Sequence, residues 1–192
     1  MPDARCPIVL FLGTSLTAGL GVDPDSAYPA IIQRRIDSAG LRWQVINGGV
    51  SGETSAAALR RTPFVLRGPL GMVVIETGAN DGLRGLNVDS TRANIESIIA
   101  AVRAHDSTIQ IVLAGMEAPP NMGPRFTSAF RAMFPALAAR HGLPLIPFLL
   151  TGVGGVDSLN QPDGIHPTPR GHQLVAENVW RILLPLLTSR SR

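Results

Sequence analysis

Ser15 closes an apolar run over residues 8–15, I-V-L-F-L-G-T-S, where the break at Gly13 delivers it into a turn just before a possible helix. A serine at the carboxyl end of a buried strand, with helix N-terminal amides behind it, stands where an open α/β sheet does its chemistry. A hydroxyl becomes a nucleophile only beside a base, and the chain has four histidines. His105 and His141 end expected helices, where a cation meets the negative end of the dipole, and His172 lies inside the last expected helix. His166 differs, because it lies in D-G-I-H-P with Asp163 three positions upstream in a glycine-containing turn. That spacing lets Asp163 accept from one ring nitrogen and leaves the other free to take the proton of Ser15.

Attack by a serine on an acyl carbon also needs donors aimed where the carbonyl oxygen becomes negative. Two loops supply them. N-G-G-V-S-G-E-T over residues 47–54 brings Gly52 to a helix start, where an amide has no intrahelical partner, and E-T-G-A-N-D-G over residues 76–82 presents the uncharged carboxamide of Asn80. The Ser15 and Gly52 amides with the Asn80 side chain would form an oxyanion hole, each donor worth ~3 to 4 kcal/mol. Ser51 and Ser55 are rival serines, but both fit a helix start and are expected to cap it. Asp81 is expected to order its own loop, and Asp157 is a weaker partner for His166 because nothing fixes its distance. Leu16, Leu83, Met116, Pro119, Met122 and Ile165 fall in loops that would wall an apolar acyl or aryl pocket.

Positioning these residues requires a particular sheet. Apolar runs bounded by turn residues recur at 8–13, 43–47, 71–77, 109–114 and 143–148. Their Val, Ile and Leu content without polar alternation predicts strands buried on both faces, as in a parallel sheet. Helical periods fill the intervals at 26–39, 54–66, 89–105 and 125–141, and Thr168-Pro169 reads as the N-cap and first residue of a last helix. Strict β-α alternation predicts a three-layer α/β/α sandwich with a five-stranded parallel sheet in the flavodoxin-like order 2-1-3-4-5. In that order the loops after strands two and three flank Ser15. A fifth strand three positions from the first leaves a gap of ~14 Å at ~4.8 Å per strand. The aperiodic stretch over 149–167 can reach ~40 Å if extended, enough to carry His166 back across the strand ends.

Composition narrows the partners. The 192 residues suit one compact domain without a separate lid, so the site should be open and its specificity broad. All 17 basic residues are arginine, net charge is +3, and the arginines are scattered apart from Arg190 and Arg192 at the end. That distribution argues against a nucleic-acid surface. A chain without lysine also lacks the phosphate cradle of a P-loop, and no cluster with metal-ligand spacing appears. Neither a cofactor nor a metal is expected. Cys6 is the single cysteine, so no internal disulfide forms. No apolar run reaches transmembrane length and no signal-peptide pattern opens the chain, so stable membrane insertion is not expected and the chain as given reads as cytoplasmic. A processed periplasmic or secreted form would look the same, and the oligomeric state is not encoded in these patterns.

Over essentially its whole length the sequence resembles the SGNH or GDSL hydrolases, in particular small bacterial thioesterase/protease/lysophospholipases and arylesterases. The matching blocks are G-T-S-L at 13–16, G-V-S-G-E-T at 49–54, G-A-N-D-G-L-R-G at 78–85 and D-G-I-H-P at 163–167. The resemblance implies Ser15 as nucleophile, Asp163 and His166 completing the triad, Gly52 and Asn80 in the oxyanion hole, and hydrolysis of carboxylic esters or thioesters through an acyl-enzyme. It departs at Thr14, where the family usually has aspartate, and there a threonine is expected to offer an uncharged hydroxyl acceptor to nearby amides. The elbow G-x-S-x-G of the larger α/β-hydrolases is absent around Ser15. Two alternatives use the same framework: acyl transfer to an alcohol by the same triad, and a non-catalytic flavodoxin-like module binding a nucleotide or flavin at the switch point.

Overall fold

The structure, a computed structural model, describes residues 6–190. Five parallel strands, β1 (Ile8–Gly13), β2 (Gln44–Gly49), β3 (Leu70–Ile75), β4 (Gln110–Ala114) and β5 (Leu145–Ile146), form one sheet in the order β2-β1-β3-β4-β5. The helices are α1 (Ser15–Ala18), α2 (Tyr28–Ser38), α3 (Ser55–Val65), α4 (Ala79–Leu83), α5 (Val88–His105), α6 (Pro124–His141) and α7 (Pro169–Ser189). Strand order and β-α alternation follow the sequence pattern. Ser15 is the first residue of the one-turn α1 rather than part of an open turn.

Central strands carry the core. Every residue of β1 is buried, and β3 is buried except for Gly71. Helical stripes close over them from both sides: Ile95, Ile98, Ile99 and Val102 of α5 and Phe130, Met133, Phe134 and Leu137 of α6 are buried on one face, and Ile32 and Ile36 of α2 with Val175, Val179 and Leu183 of α7 on the other. The expectation that all five strands are buried on both faces fails for β2. It is an edge strand, and its Ile46 remains 38% exposed. The fifth strand is also shorter than the apolar run at 143–148, because Pro144 and Pro147 bracket its two residues and Pro147 has no N–H to extend the ladder.

Helix ends follow their local chemistry. Thr168 caps α7, its hydroxyl accepting from the Gly171 amide at 3.2 Å, with Pro169 at the first position. The Arg190 guanidinium donates to the carbonyls of Gly71 and Thr108, tying the end of α7 to the start of β3 and the turn before β4, while Arg192 lies outside the described residues. No helix among the described residues is long and apolar enough to cross a membrane.

Candidate active site

Parallel packing puts the carboxyl ends of β1, β2 and β3 side by side, so the segments after them share one edge. Ser15 opens α1 directly after β1. As the first residue of a helix it has an N–H without an intrahelical acceptor, and its side chain is almost fully covered, at 8% exposure. The Ser15 hydroxyl lies 2.9 Å from His166 Nε2. His166 Nδ1 lies 2.6 Å from Asp163 Oδ2. Asp163 Oδ1 accepts from the amides of Ile165 and His166 at 2.9 and 3.0 Å, so the D-G-I-H turn is wound around its own carboxylate. The ring donation first, and then the backbone amides, hold the Asp163 carboxyl down at about 2. An ionised Asp163 accepts from Nδ1–H, which leaves Nε2 unprotonated and able to accept from Ser15.

The loop bearing Asp163 and His166 crosses the sheet ends as its length requires. Asn160 Nδ2 donates to the carbonyls of Val153 and Val156, and Gln161 Nε2 donates to Leu20 and Pro167, at 2.7 and 3.0 Å. Leu20 belongs to the segment just after α1, so Gln161 ties the histidine loop to the serine loop. Asp157 starts a short 3₁₀ turn well before this anchor.

Gly52 follows β2 in a left-handed turn, at φ +76°, where a side chain would be strained. Arg84 Nη2 donates to the Gly52 carbonyl at 3.0 Å and so fixes the plane of the following peptide. Asn80, the second residue of α4, donates through Nδ2 to the Glu53 carbonyl at 2.9 Å, which uses one of its two amide hydrogens. Glu53 binds Arg61 through two contacts, at 2.6 and 2.7 Å, and Arg61 Nη2 also donates to the carbonyls of Gly13 and Gly48. This mostly buried ion pair joins the ends of β1 and β2 to α3, and sequence spacing alone offered no sign of it.

Several expectations change here. Ser55 does not cap α3: its hydroxyl donates to Asp81 Oδ1 at 2.6 Å while its own amide donates to Asp81 Oδ2 at 2.8 Å. Asp81 therefore caps α3 from a distance and, through Thr91 of α5, joins three helices instead of ordering only its own loop. Ser51 stays in the exposed turn before it. Thr14 donates rather than accepts: both its N–H and its hydroxyl point to Glu76, at 2.7 and 3.0 Å. Glu76 received no role from the sequence, although a carboxylate interrupting the apolar run V-V-I-E-T-G was the available signal.

A cavity of about 570 Å³ is lined by Leu16, Leu83, Met116, Pro119 and Ile165. Met122 is not among its walls. It ends a 3₁₀ turn, Pro120–Met122, and lines a neighbouring groove with Leu86, Val88 and Phe126.

This fold, with a serine, a histidine and an aspartate in series at the strand ends, defines an SGNH-type serine hydrolase acting on ester bonds. The chain belongs to the GDSL-like lipase/acylhydrolase family, whose model matches residues 11–174. It is 40% identical over 186 residues to esterase TesA of Pseudomonas aeruginosa, covering 96% of this chain and 92% of that protein. Identity to the thioesterase 1/protease 1/lysophospholipase L1 of Escherichia coli K12 is 33% over 189 residues, 98% of this chain and 88% of that one. Among solved structures, that of TesA superposes with a TM-score of 0.89 at 40% identity, over 93% of this chain and 99% of that chain.

Proposed function

We propose that the chain hydrolyses carboxylic esters or thioesters of modest acyl or aryl groups, with Ser15 as nucleophile, His166 as base and then acid, and Asp163 orienting the imidazole. Ser15 Oγ attacks the acyl carbon as its proton passes to His166 Nε2. The tetrahedral oxyanion is held by the Ser15 and Gly52 amides and the second Asn80 amide hydrogen. Collapse breaks the bond to the alcohol or thiol, which leaves with the proton from Nε2. Water then attacks the acyl-enzyme, delivering a proton to His166, and release of the acid regenerates the Ser15 hydroxyl. Asp163 stays ionised throughout, consistent with three donors holding its carboxyl near 2.

One observation carries this reading: Oγ, Nε2, Nδ1 and Oδ2 stand in series at 2.9 and 2.6 Å, the spacing of a nucleophile, a base and its orienting group. The apolar walls contributed by Leu16, Leu83, Met116, Pro119 and Ile165 support an acyl or aryl substrate. Arg35, Arg61, Arg92, Arg131, Arg140 and Arg181 are engaged in ion pairs, which supports a small ester rather than nucleic acid as the partner. A single hydrophobic cluster spanning β1 to α7 supports one domain. Ser15→Ala should lower kcat for p-nitrophenyl butyrate by about 10⁵ to 10⁶-fold while leaving Tm within a few degrees. Retained turnover in that variant would remove Ser15 as the nucleophile.

A further inference from the structure

Glu76 is wholly buried just past β3, and no cation pairs with it among the described residues. A carboxylate in such a place is costly unless hydrogen bonds compensate, and here they come from a single source. Oε2 accepts from the Thr14 amide at 2.7 Å and the Thr17 hydroxyl at 2.8 Å, while the Thr14 hydroxyl sits 3.0 Å from both carboxylate oxygens. Because Thr17 spends its one hydroxyl hydrogen on Glu76, the Tyr28 hydroxyl must donate to Thr17, 2.5 Å away. Burial pushes the Glu76 carboxyl up to about 7, with the Thr14 and Thr17 donors pulling it back.

The donors bracket Ser15 in sequence: Thr14 precedes it and Thr17 follows two residues later. The helix α1, which Thr14 precedes and which contains Thr17, is one turn of four residues, far too short to hold its geometry from its own hydrogen bonds. The turn is also pressed against the carboxylate. A Cβ at Gly13 would lie 2.0 Å from Thr17 Oγ1 and 2.8 Å from Glu76 Oε2, so the chain closes on Glu76 with no room for a side chain between. Glu76 itself is latched to the strand that carries the serine, its amide donating to the Leu12 carbonyl at 2.8 Å.

From this geometry we infer that Glu76 is a positioning residue for the nucleophile: its buried carboxylate grips Thr14 and Thr17 and thereby holds Ser15 Oγ in line with His166 Nε2. The inference rests on the reading of Ser15 as nucleophile. Charged acceptors make shorter and stronger hydrogen bonds than neutral ones, so a carboxylate fixes three donors, whereas a carboxamide turned to keep its oxygen on the Thr14 amide and Thr17 hydroxyl would offer them only a neutral acceptor and set its N–H₂ against the Thr14 hydroxyl. Thr14 then has a definite task. Its hydroxyl bridges the two oxygens and stops the carboxylate from turning about its last bond.

The test, run at about pH 8.5 where Glu76 is ionised, is the rate at which ethyl p-nitrophenyl phosphonate reacts with the whole protein, with the modified residue located by mass spectrometry, alongside kcat and KM for p-nitrophenyl acetate and Tm. Glu76→Gln should react about 10 to 100-fold more slowly and lose kcat in proportion, with KM within about twofold of wild type. Should that variant fail to fold, Thr14→Val and Thr14→Ser carry the same question. The valine should be slowed and the serine, which keeps the hydroxyl, should react like wild type. Wild-type rates in folded Glu76→Gln and in Thr14→Val, or Thr14→Ser as slow as Thr14→Val, would overturn the inference. Modification of wild type at a residue other than Ser15 would overturn the proposed nucleophile instead.

Discussion

Ser15 and His166 meet across 2.9 Å, yet the segments that carry them are built on different principles. The serine side is short and interior: six buried strand residues, one helical turn, and a buried carboxylate gripping that turn on both sides of Ser15. The histidine side is a long crossing loop. Its aspartate side chain is 45% exposed, and it is held by Asn160 and Gln161 side chains bound to backbone carbonyls. Buried anchors fix an atom through the core, whereas an exposed loop must carry its own fixings. The Asp163 turn does this locally, with two amides and the imidazole converging on one carboxylate.

The sharpest way to break the contrast is at Asp163. Replacing it with Asn keeps the size but puts an amide donor against Nδ1, which favours the tautomer with its hydrogen on Nε2 and removes the base. Asp163→Asn should lower kcat/KM by about 10⁴-fold at neutral pH, and Tm should move by no more than a few degrees because the side chain is half in water. A loss of less than tenfold, measured with p-nitrophenyl butyrate, would show that this loop does not supply the orienting group.

Gln161 probes the same loop more gently. Among the described residues its carboxamide is the one side-chain hydrogen bond between the histidine loop and the segment after α1, donating to the Leu20 carbonyl at 2.7 Å. Gln161→Ala should leave His166 and Asp163 bonded to each other but displaced as a unit from Ser15. A fall in kcat of about tenfold with little change in KM is expected. If kcat is unchanged, the turn around Asp163 positions the histidine without help, and the two sides are joined only through the core.

The same division explains what was legible in the sequence. Strand order, helix positions and the Ser15, His166, Asp163 grouping could be read because each leaves a local mark: an apolar run, a three-to-four-residue period, or a four-residue D-G-I-H turn. Glu76, the Glu53–Arg61 pair and the Asp81 cap were opaque because their meaning lies in partners from other elements. Asp81 bonds Ser55, 26 positions away, and Glu76 bonds Thr14, 62 positions away. Local spacing carries no record of such pairs. Met122 lies off the cavity wall for a related reason: its loop is near the cavity, but its side chain runs to Gly85, where a Cβ would come within 2.6 Å of the methionine methyl.

The two sides are also linked through the core by groups with opposite proton preferences, and stability should report this. His172 of α7, six residues past His166, is buried and accepts from the Tyr28 amide through Nδ1; burial first, then the neighbouring His166, pull it from 6.5 to about 4. Its folded value is depressed, so the unfolded chain binds the extra proton, and the contribution of His172 is present above 6.5 and is lost as pH falls toward 4, by about 3 kcal/mol at most. Glu76 is raised from 4.5 to about 7, so its contribution is present below 4.5 and is lost as pH rises through 7. Between about 4.5 and 6.5 the two slopes oppose each other, while Asp163, Asp106 and Glu177, held low by their partners, act below that window. Wild-type Tm should therefore change little from pH 5 to 6.5. His172→Asn, which keeps an acceptor for Tyr28, should make Tm fall with rising pH, and Glu76→Gln should make it rise. Parallel Tm curves for all three proteins would mean that neither buried group changes its proton affinity on folding.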